Sequence, residues 1–196
     1  MKKTVAIFGA SGGIGAATRQ QFLDAGYTVI PVSRNLIDFS SSKADEQIQE
    51  FLSLSDPDII VNCTGYFAGN DEPAEPTMSV NFNSNWSLVR HYFDKTNRET
   101  KIIMVGSSAC RGGRKNYIVY GASKAALLSM WEGCRDALAN TKVTVNLVNP
   151  VRVRTNMVAP FDDNLDYLDP NAVAYEILQL AKTSASSCVE MTFKEL

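Results

Sequence analysis

Six short runs of β-forming residues, apolar nearly throughout, recur along the 196-residue chain: TVAIF (4–8), YTVIPV (27–32), DIIVN (58–62), KIIMVG (101–106), VTVNLV (143–148) and CVEMTF (188–193). A strand with one wet face alternates apolar and polar residues, whereas a strand covered on both faces has no need to. Such runs call for a parallel sheet with helices on both sides. Helical patterns fall between them, over 13–25, 43–54, 79–97, 119–140 and 170–183. Asp56-Pro57 and Asp169-Pro170 punctuate the pattern, and Pro170 suits a first helical turn. Strand and helix alternating in this way imply a doubly wound α/β fold. Residues 1–196 read as a single domain, because the length suits one core and no repeat, low-complexity tract or linker divides them. The stretch GNDEPAEPT (69–77) reads as a surface loop.

One connection is short. The second run ends near Val32, and LIDFS (36–40) has the look of a very short third strand. A parallel crossover needs about a dozen residues or more. No helix fits between them, so the third strand and its crossover helix are expected to be abbreviated and that sheet edge irregular.

Composition closes off several functions. A formal net charge of -2 gives no pull toward nucleic acid or an anionic membrane. No apolar run approaches the ~20 residues that span a bilayer. The opening MKKTVAIF is basic and then apolar, but glycines interrupt it at once, so it reads as a first strand rather than a leader. Cys63, Cys110, Cys134 and Cys188 are scattered without metal-ligand spacing, and His91 is the only histidine. They read as reduced thiols of a cytoplasmic protein with no metal.

After the first run comes GASGGIG (9–15), followed by a helical pattern. Glycines let the backbone approach a pyrophosphate closely, and a helix N-terminus offers free N–H groups and a positive dipole. A Rossmann-like nucleotide site follows, with Gly9, Ser11, Gly13, Ile14 and Gly15 as its loop. At the end of the second run stand Ser33 and Arg34. An acid there would bind the ribose hydroxyl of NAD, while an arginine accommodates the 2′-phosphate of NADP. NADP(H) is therefore expected over NAD(H).

YGASK (120–124) places Tyr120 and Lys124 four residues apart on one helix face. A free tyrosine, with a pKa of about 10, is a poor acid or base at pH 7. A nearby ammonium favours the phenolate and is expected to lower that value. Such a tyrosine exchanges a proton with a carbonyl oxygen as hydride arrives or leaves. Ser107, at the carboxyl end of the fourth run, is placed to hold that oxygen.

Glycine loop, strand-end serine and YxxxK, in this order, resemble the short-chain dehydrogenase/reductase family from Val5 to about Met157. The glycine spacing G-x3-G-x-G is that of the family. VNCTG (61–65) is similar to its NNAG segment, which implies cofactor roles for Asn62 and Gly65, with Cys63-Thr64 departing from the pattern. VNFNSNW (80–86) places Asn81 where the family's helix asparagine holds a water for proton relay. GSS (106–108) resembles the serine motif, with Ser107 rather than Ser108 at the usual spacing from Tyr120. By the same resemblance Asp38 meets the adenine amino group, Lys124 also contacts the cofactor, and Pro150 and Thr155 lie near its nicotinamide end. Val151 stands in place of the family's glycine after that proline. The resemblance implies catalytic roles for Ser107, Tyr120, Lys124 and Asn81, and a homodimer or homotetramer.

Five cations flank the expected nicotinamide end: Arg111, Arg114 and Lys115 before Tyr120, and Arg152 and Arg154 after the proline. Arginine suits bidentate phosphate recognition. An anionic substrate is expected, with Arg111, Arg114, Lys115 and Arg152 binding it. GSSACRGGRKNYIVYGASKAA and NPVRVRTNM also resemble the module that reduces ribulose 5-phosphate with NADPH in CDP-ribitol synthesis, though Val151 stands where an acid belongs. The competing reading is a non-catalytic NADP-binding sensor or regulatory module, which keeps the glycine loop and loses the tyrosine and lysine. A sugar-nucleotide epimerase shares YxxxK but needs a longer chain.

Overall fold

The computed structural model describes residues 2–157 and 165–193. Six parallel strands form one sheet: β1 (Thr4–Phe8), β2 (Thr28–Val32), β3 (Ile59–Asn62), β4 (Thr100–Val105), β5 (Val143–Pro150) and β6 (Cys188–Met191). Their order across the sheet is β2-β1-β3-β4-β5-β6. Successive residues point to opposite faces, and both faces are covered. Ala6, Phe8, Ile60, Ile102, Met104 and Leu147 join the core under α2 (Ala44–Ser55), α4 (Ser84–Arg90) and α5 (Ile118–Ala137). Val5, Ile7, Val61, Ile103 and Val148 join the core under α1 (Gly13–Asp24) and α6 (Pro170–Leu180). This double burial explains why the strands carry so few polar residues.

The chain leaves β1 to one side for β2 and returns to the other side for β3. Between the carboxyl ends of β1 and β3 the two loops part, and α/β sheets bind ligands in the crevice this opens. The glycine loop and residues 63–65 form its two lips.

Residues 36–40 do not form a strand, and β2 is the sheet edge. The backbone instead turns, with the N–H groups of Leu36 and Ile37 on Ser33 O and that of Ser41 on Asp38 O. Ile37 and Phe39 are buried all the same, Phe39 against the Phe8 ring at 5.6 Å between centroids. Apolar burial was legible in LIDFS; strand pairing was not, because three residues after Val32 leave no length for a crossover.

The helix expected over 79–97 starts earlier and ends sooner. Residues 69–77 are loop only in part, since α3 (Ala74–Met78) begins behind Pro73. It continues through one π turn (Ser79–Asn83) into α4. In the π turn side chains take up main-chain acceptors: Ser84 Oγ donates to Val80 O at 2.7 Å and Asn85 Nδ2 to Asn81 O at 2.9 Å. Asp169 caps α6 through Asn171 N–H, with Pro170 in the first turn as expected. No helix among the described residues is long and apolar enough to cross a membrane.

Candidate active site

Ser107 follows β4 and Gly106. Its Oγ accepts the N–H of Ala109 at 3.1 Å, which caps the short 3₁₀ turn Ser108–Cys110. With that acceptor used, the hydroxyl proton is free to point into the cavity that Ser107 shares with Tyr120. Tyr120 lies in the first turn of α5 and Lys124 in the second. Burial pushes the Tyr120 phenol above its usual value, the Ser107 hydrogen bond pulls it partly back, and Tyr117 and Cys110 add to the rise.

Lys124 is 4% exposed, and its Nζ donates to Val105 O at 3.0 Å. Desolvation brings its pKa down to about 8. The expected lowering of the tyrosine is therefore not what the structure holds. The Lys124 ammonium sits 5.7 Å from the Tyr120 ring centre, aimed at main chain. Burial raises the phenol and weakens the base-stabilising charge in one stroke.

Two adjoining cavities occupy the carboxyl edge of the sheet. One of about 290 Å³ is lined by Gly9, Ser11, Gly13, Ser33, Arg34 and Asp38. The other, of about 600 Å³, holds Ser107, Tyr120, Lys124 and Pro150. Ile14, Cys63, Thr64, Gly65, Thr155 and Met157 line both. Gly9 needs its positive φ of 74° to turn the chain, and a Cβ there would meet Thr64 N at 3.0 Å. A Cβ on Gly13 would meet Thr155 Cγ2 at 2.6 Å. These residues, with the α1 N-terminus, fit a nucleotide: a side-chain-free cradle, a helix dipole and an arginine at its outer rim.

Several expected residues act elsewhere. Gly15 does not line either cavity; a Cβ there would stand 2.0 Å from Gly9 O, so its role is to let helix and loop pack. Asn62 is 1% exposed and holds the 63–65 turn, accepting from Thr64 N at 3.0 Å and Thr64 Oγ1 at 2.6 Å while donating to Asn85. Asn81 is fully buried, and its amide clamps Tyr66 N and O and the Ser123 hydroxyl. Its carbonyl carries the Asn85 amide. Asp38 lines the smaller cavity, its carboxyl held below the usual range by the Ser40 hydroxyl and N–H.

The expected cation cluster is reduced. Arg114 and Arg152 line the larger cavity. Arg111 does not; it turns to Glu190 at 3.4 Å because that carboxylate lies across the sheet end. Lys115 is exposed outside the cavity, with its carbonyl bound by Asn70. Arg154 lies over the Tyr167 ring. Among the described residues no carboxylate lines the larger cavity, and no group of three or more His, Cys, Asp and Glu is placed to hold a metal. Cys63 lines both cavities as an inert thiol, pushed up to about 12 by burial.

Three residues had no signal in the motifs. Phe67 lies 5.0 Å from both the Tyr117 and Tyr120 ring centres, which makes an aromatic wall beside the Tyr120 phenol. Asn70 carries that wall's loop: its Oδ1 accepts the N–H of Ile118, the first residue of α5, at 2.8 Å, and its Nδ2 donates to Lys115 O at 2.7 Å. Asn70 thus caps, from a distant loop, a helix whose own cap residue supplies no side-chain bond. Asn149 accepts the N–H of Ser107 at 3.0 Å. An asparagine before a proline at a strand end was the one available hint.

A profile described as short chain dehydrogenase matches residues 37–166, well over half of the chain. This chain belongs to the short chain dehydrogenase family. The match starts beyond the glycine loop, so the loop's geometry stands on the structure itself. Relatives of this family include an uncharacterized oxidoreductase YvrD of Bacillus subtilis, 30% identical over 189 residues, covering 82% of this chain and 72% of the relative. The 3-oxoacyl-[acyl-carrier-protein] reductase FabG of Buchnera aphidicola is 26% identical, covering 79% of this chain and 75% of that protein. Among solved structures, a short chain dehydrogenase of Burkholderia cenocepacia in complex with NADP superposes with a TM-score of 0.83 at 23% identity, covering 98% of this chain and 89% of that one. A 3-alpha-hydroxysteroid dehydrogenase of Pseudomonas complexed with NADH gives 0.80 at 20%, covering 96% and 95%. These two structures of the same fold hold different nicotinamide cofactors. The protein is an oxidoreductase of this family.

Proposed function

We propose that this protein reduces a carbonyl to an alcohol with NADPH, using Tyr120 as the acid. The reading rests on one observation above the rest: Ser107, Tyr120 and Lys124 line one cavity, which adjoins the glycine-loop cleft. A carbonyl oxygen seated against both groups takes a hydrogen bond from Ser107 and a proton from Tyr120. A phenol kept protonated by burial is in the form this step requires. A nicotinamide bound in the cleft supplies the hydride. Lys124, buried and with a pKa near 8, exchanges protons within the working range and returns one to the tyrosine. Asn81 acts through the fold, holding the Tyr66 main chain and Ser123 beside Tyr120.

Ser33 and Arg34 at the end of β2, with no acid beside them, favour the 2′-phosphate of NADP. Arg114 and Arg152 favour an anionic substrate. D-ribulose 5-phosphate is the compound to try first, on the resemblance of the Ser107–Tyr120 and 149–157 segments to the pentulose-phosphate reductase module. A homo-oligomer working in the cytoplasm completes the reading.

The test is NADPH oxidation followed by absorbance with D-ribulose 5-phosphate, unphosphorylated ribulose and a Tyr120→Phe control. Phosphate-dependent turnover that vanishes in the variant supports the whole reading. Turnover of ribulose at equal efficiency removes the anionic site, and turnover surviving in Tyr120→Phe removes the tyrosine mechanism. No oxidation with any carbonyl of a broad panel returns the protein to a nucleotide-binding module.

A further inference from the structure

The segment bearing Ser107 leaves the sheet in an unusual way. Gly106 N–H still follows the ladder, donating to Val148 O at 2.7 Å. The next N–H, of Ser107, donates instead to the side-chain Oδ1 of Asn149 at 3.0 Å. Asn149 is 1% exposed. A Cβ on Gly106 would stand 1.9 Å from that oxygen, so the glycine exists to admit it.

An amide has two faces, and either can be turned to a neighbour. Only Oδ1 can receive the Ser107 N–H; the flipped amide would set donor against donor. The orientation is fixed from the other side. Asn149 Nδ2 donates to Glu190 Oε1 at 2.9 Å, with Cys188 Sγ, a weak acceptor, at 3.4 Å. Glu190 faces Asn149 in register across β5 and β6. The same Oε1 meets Arg111 Nη2 at 3.4 Å, at the far end of the 3₁₀ turn that begins after Ser107. One carboxylate on the last strand thus grips the serine segment at both ends, through Asn149 at Ser107 and directly at Arg111.

We propose that Glu190 is a positioning residue for the reaction: it fixes the Asn149 amide and the Arg111 end of the turn, and so sets the direction of the Ser107 hydroxyl. This rests on the catalytic reading above, but the contact itself can be tested without turnover. Glu190→Ala and Glu190→Gln are compared with the wild type by amide hydrogen exchange at Ser107 and by NADPH oxidation with D-ribulose 5-phosphate, or with butane-2,3-dione if the phosphate is not reduced. Gln keeps an acceptor oxygen for Asn149; Ala keeps none. In Glu190→Ala the Ser107 amide should exchange about tenfold faster while the Val145 and Leu147 amides of β5 hold, and kcat should fall about tenfold with KM for NADPH within about twofold. Glu190→Gln should recover most of both. Unchanged Ser107 exchange in Glu190→Ala, a Gln variant as impaired as the Ala variant, or an unaltered kcat in an active enzyme overturns the proposal. If the wild type reduces neither probe, the exchange data alone decide the role of Glu190.

Discussion

Replacing Lys124 with methionine should change stability by an amount that depends on pH. The folded chain holds this amine at a pKa of about 8, against an ordinary 10.5, because burial disfavours the ammonium. At pH 7 both folded and unfolded chains carry the proton, and the folded chain bears the desolvation. At about 1.4 kcal/mol per pH unit, the displacement from 10.5 to about 8 is worth about 3 kcal/mol. Between pH 8 and 10.5 the folded chain releases its proton while the unfolded chain keeps it. Wild-type stability should therefore rise through that window relative to Lys124→Met, which has nothing to titrate there. Integrated from pH 7 to pH 10, the relative gain comes to about 2.5 kcal/mol. The methionine leaves the Val105 carbonyl without its donor, a loss of about 1–3 kcal/mol that is the same at every pH. At pH 7 the two terms nearly cancel, and the variant should match or slightly exceed the wild type while losing turnover. Urea unfolding of both proteins, without nucleotide, at half-unit steps from pH 7 to pH 10 measures the difference. A wild-type-minus-variant difference that stays flat refutes the buried ammonium, and one that falls with pH reverses the sign of the argument.

Tyr120→Phe removes the proton donor and should lower kcat by about 10²- to 10⁴-fold, with NADPH affinity in a fluorescence titration unchanged. Arg34→Ala should weaken NADPH binding by about tenfold, one charged hydrogen bond's worth, and leave NADH binding alone; equal losses for both would remove Arg34 from the phosphate site. Asn70→Ala uncaps α5 and should cost about 1 kcal/mol in unfolding, together with a raised KM as the Phe67 wall loosens; an unchanged midpoint would show that the loop does not buttress the helix. Gly15→Ala pushes a methyl into Gly9 O and should destabilise the protein by about 2 kcal/mol or more, read as a lower melting temperature.

The Tyr120–Lys124 pair was legible because its geometry is local. Tyr120 and Lys124 share a face by helical spacing alone, and Ser107 ends a strand whose apolar run can be read directly. The glycine loop is legible for the same reason, since its steric demand falls on consecutive residues. Other assignments depended on which distant segments meet. Arg111 and Arg114 lie three residues apart, yet one turns to Glu190 and the other to the cavity. No periodicity separates them; a carboxylate from the last strand does. Asn62 and Asn81 resemble cofactor and relay residues in sequence, and in the fold their amides are engaged by neighbouring main chain and side chains.

By itself, the sequence determined the layered architecture and the order of the elements, and it singled out Ser107, Tyr120 and Lys124 as candidates, because burial on two faces and short-range spacing act within a dozen residues. Tertiary structure alone decided that residues 36–40 turn instead of pairing, that burial raises the Tyr120 phenol, and that, of the five cations flanking Tyr120 and Pro150, Arg114 and Arg152 line the larger cavity while Arg111, Lys115 and Arg154 do not. It also decided that Asn149 and Glu190 hold Ser107 across the sheet. Each of these depends on desolvation or on a hydrogen bond between residues far apart in the chain, and neither has a value until the chain has closed around it.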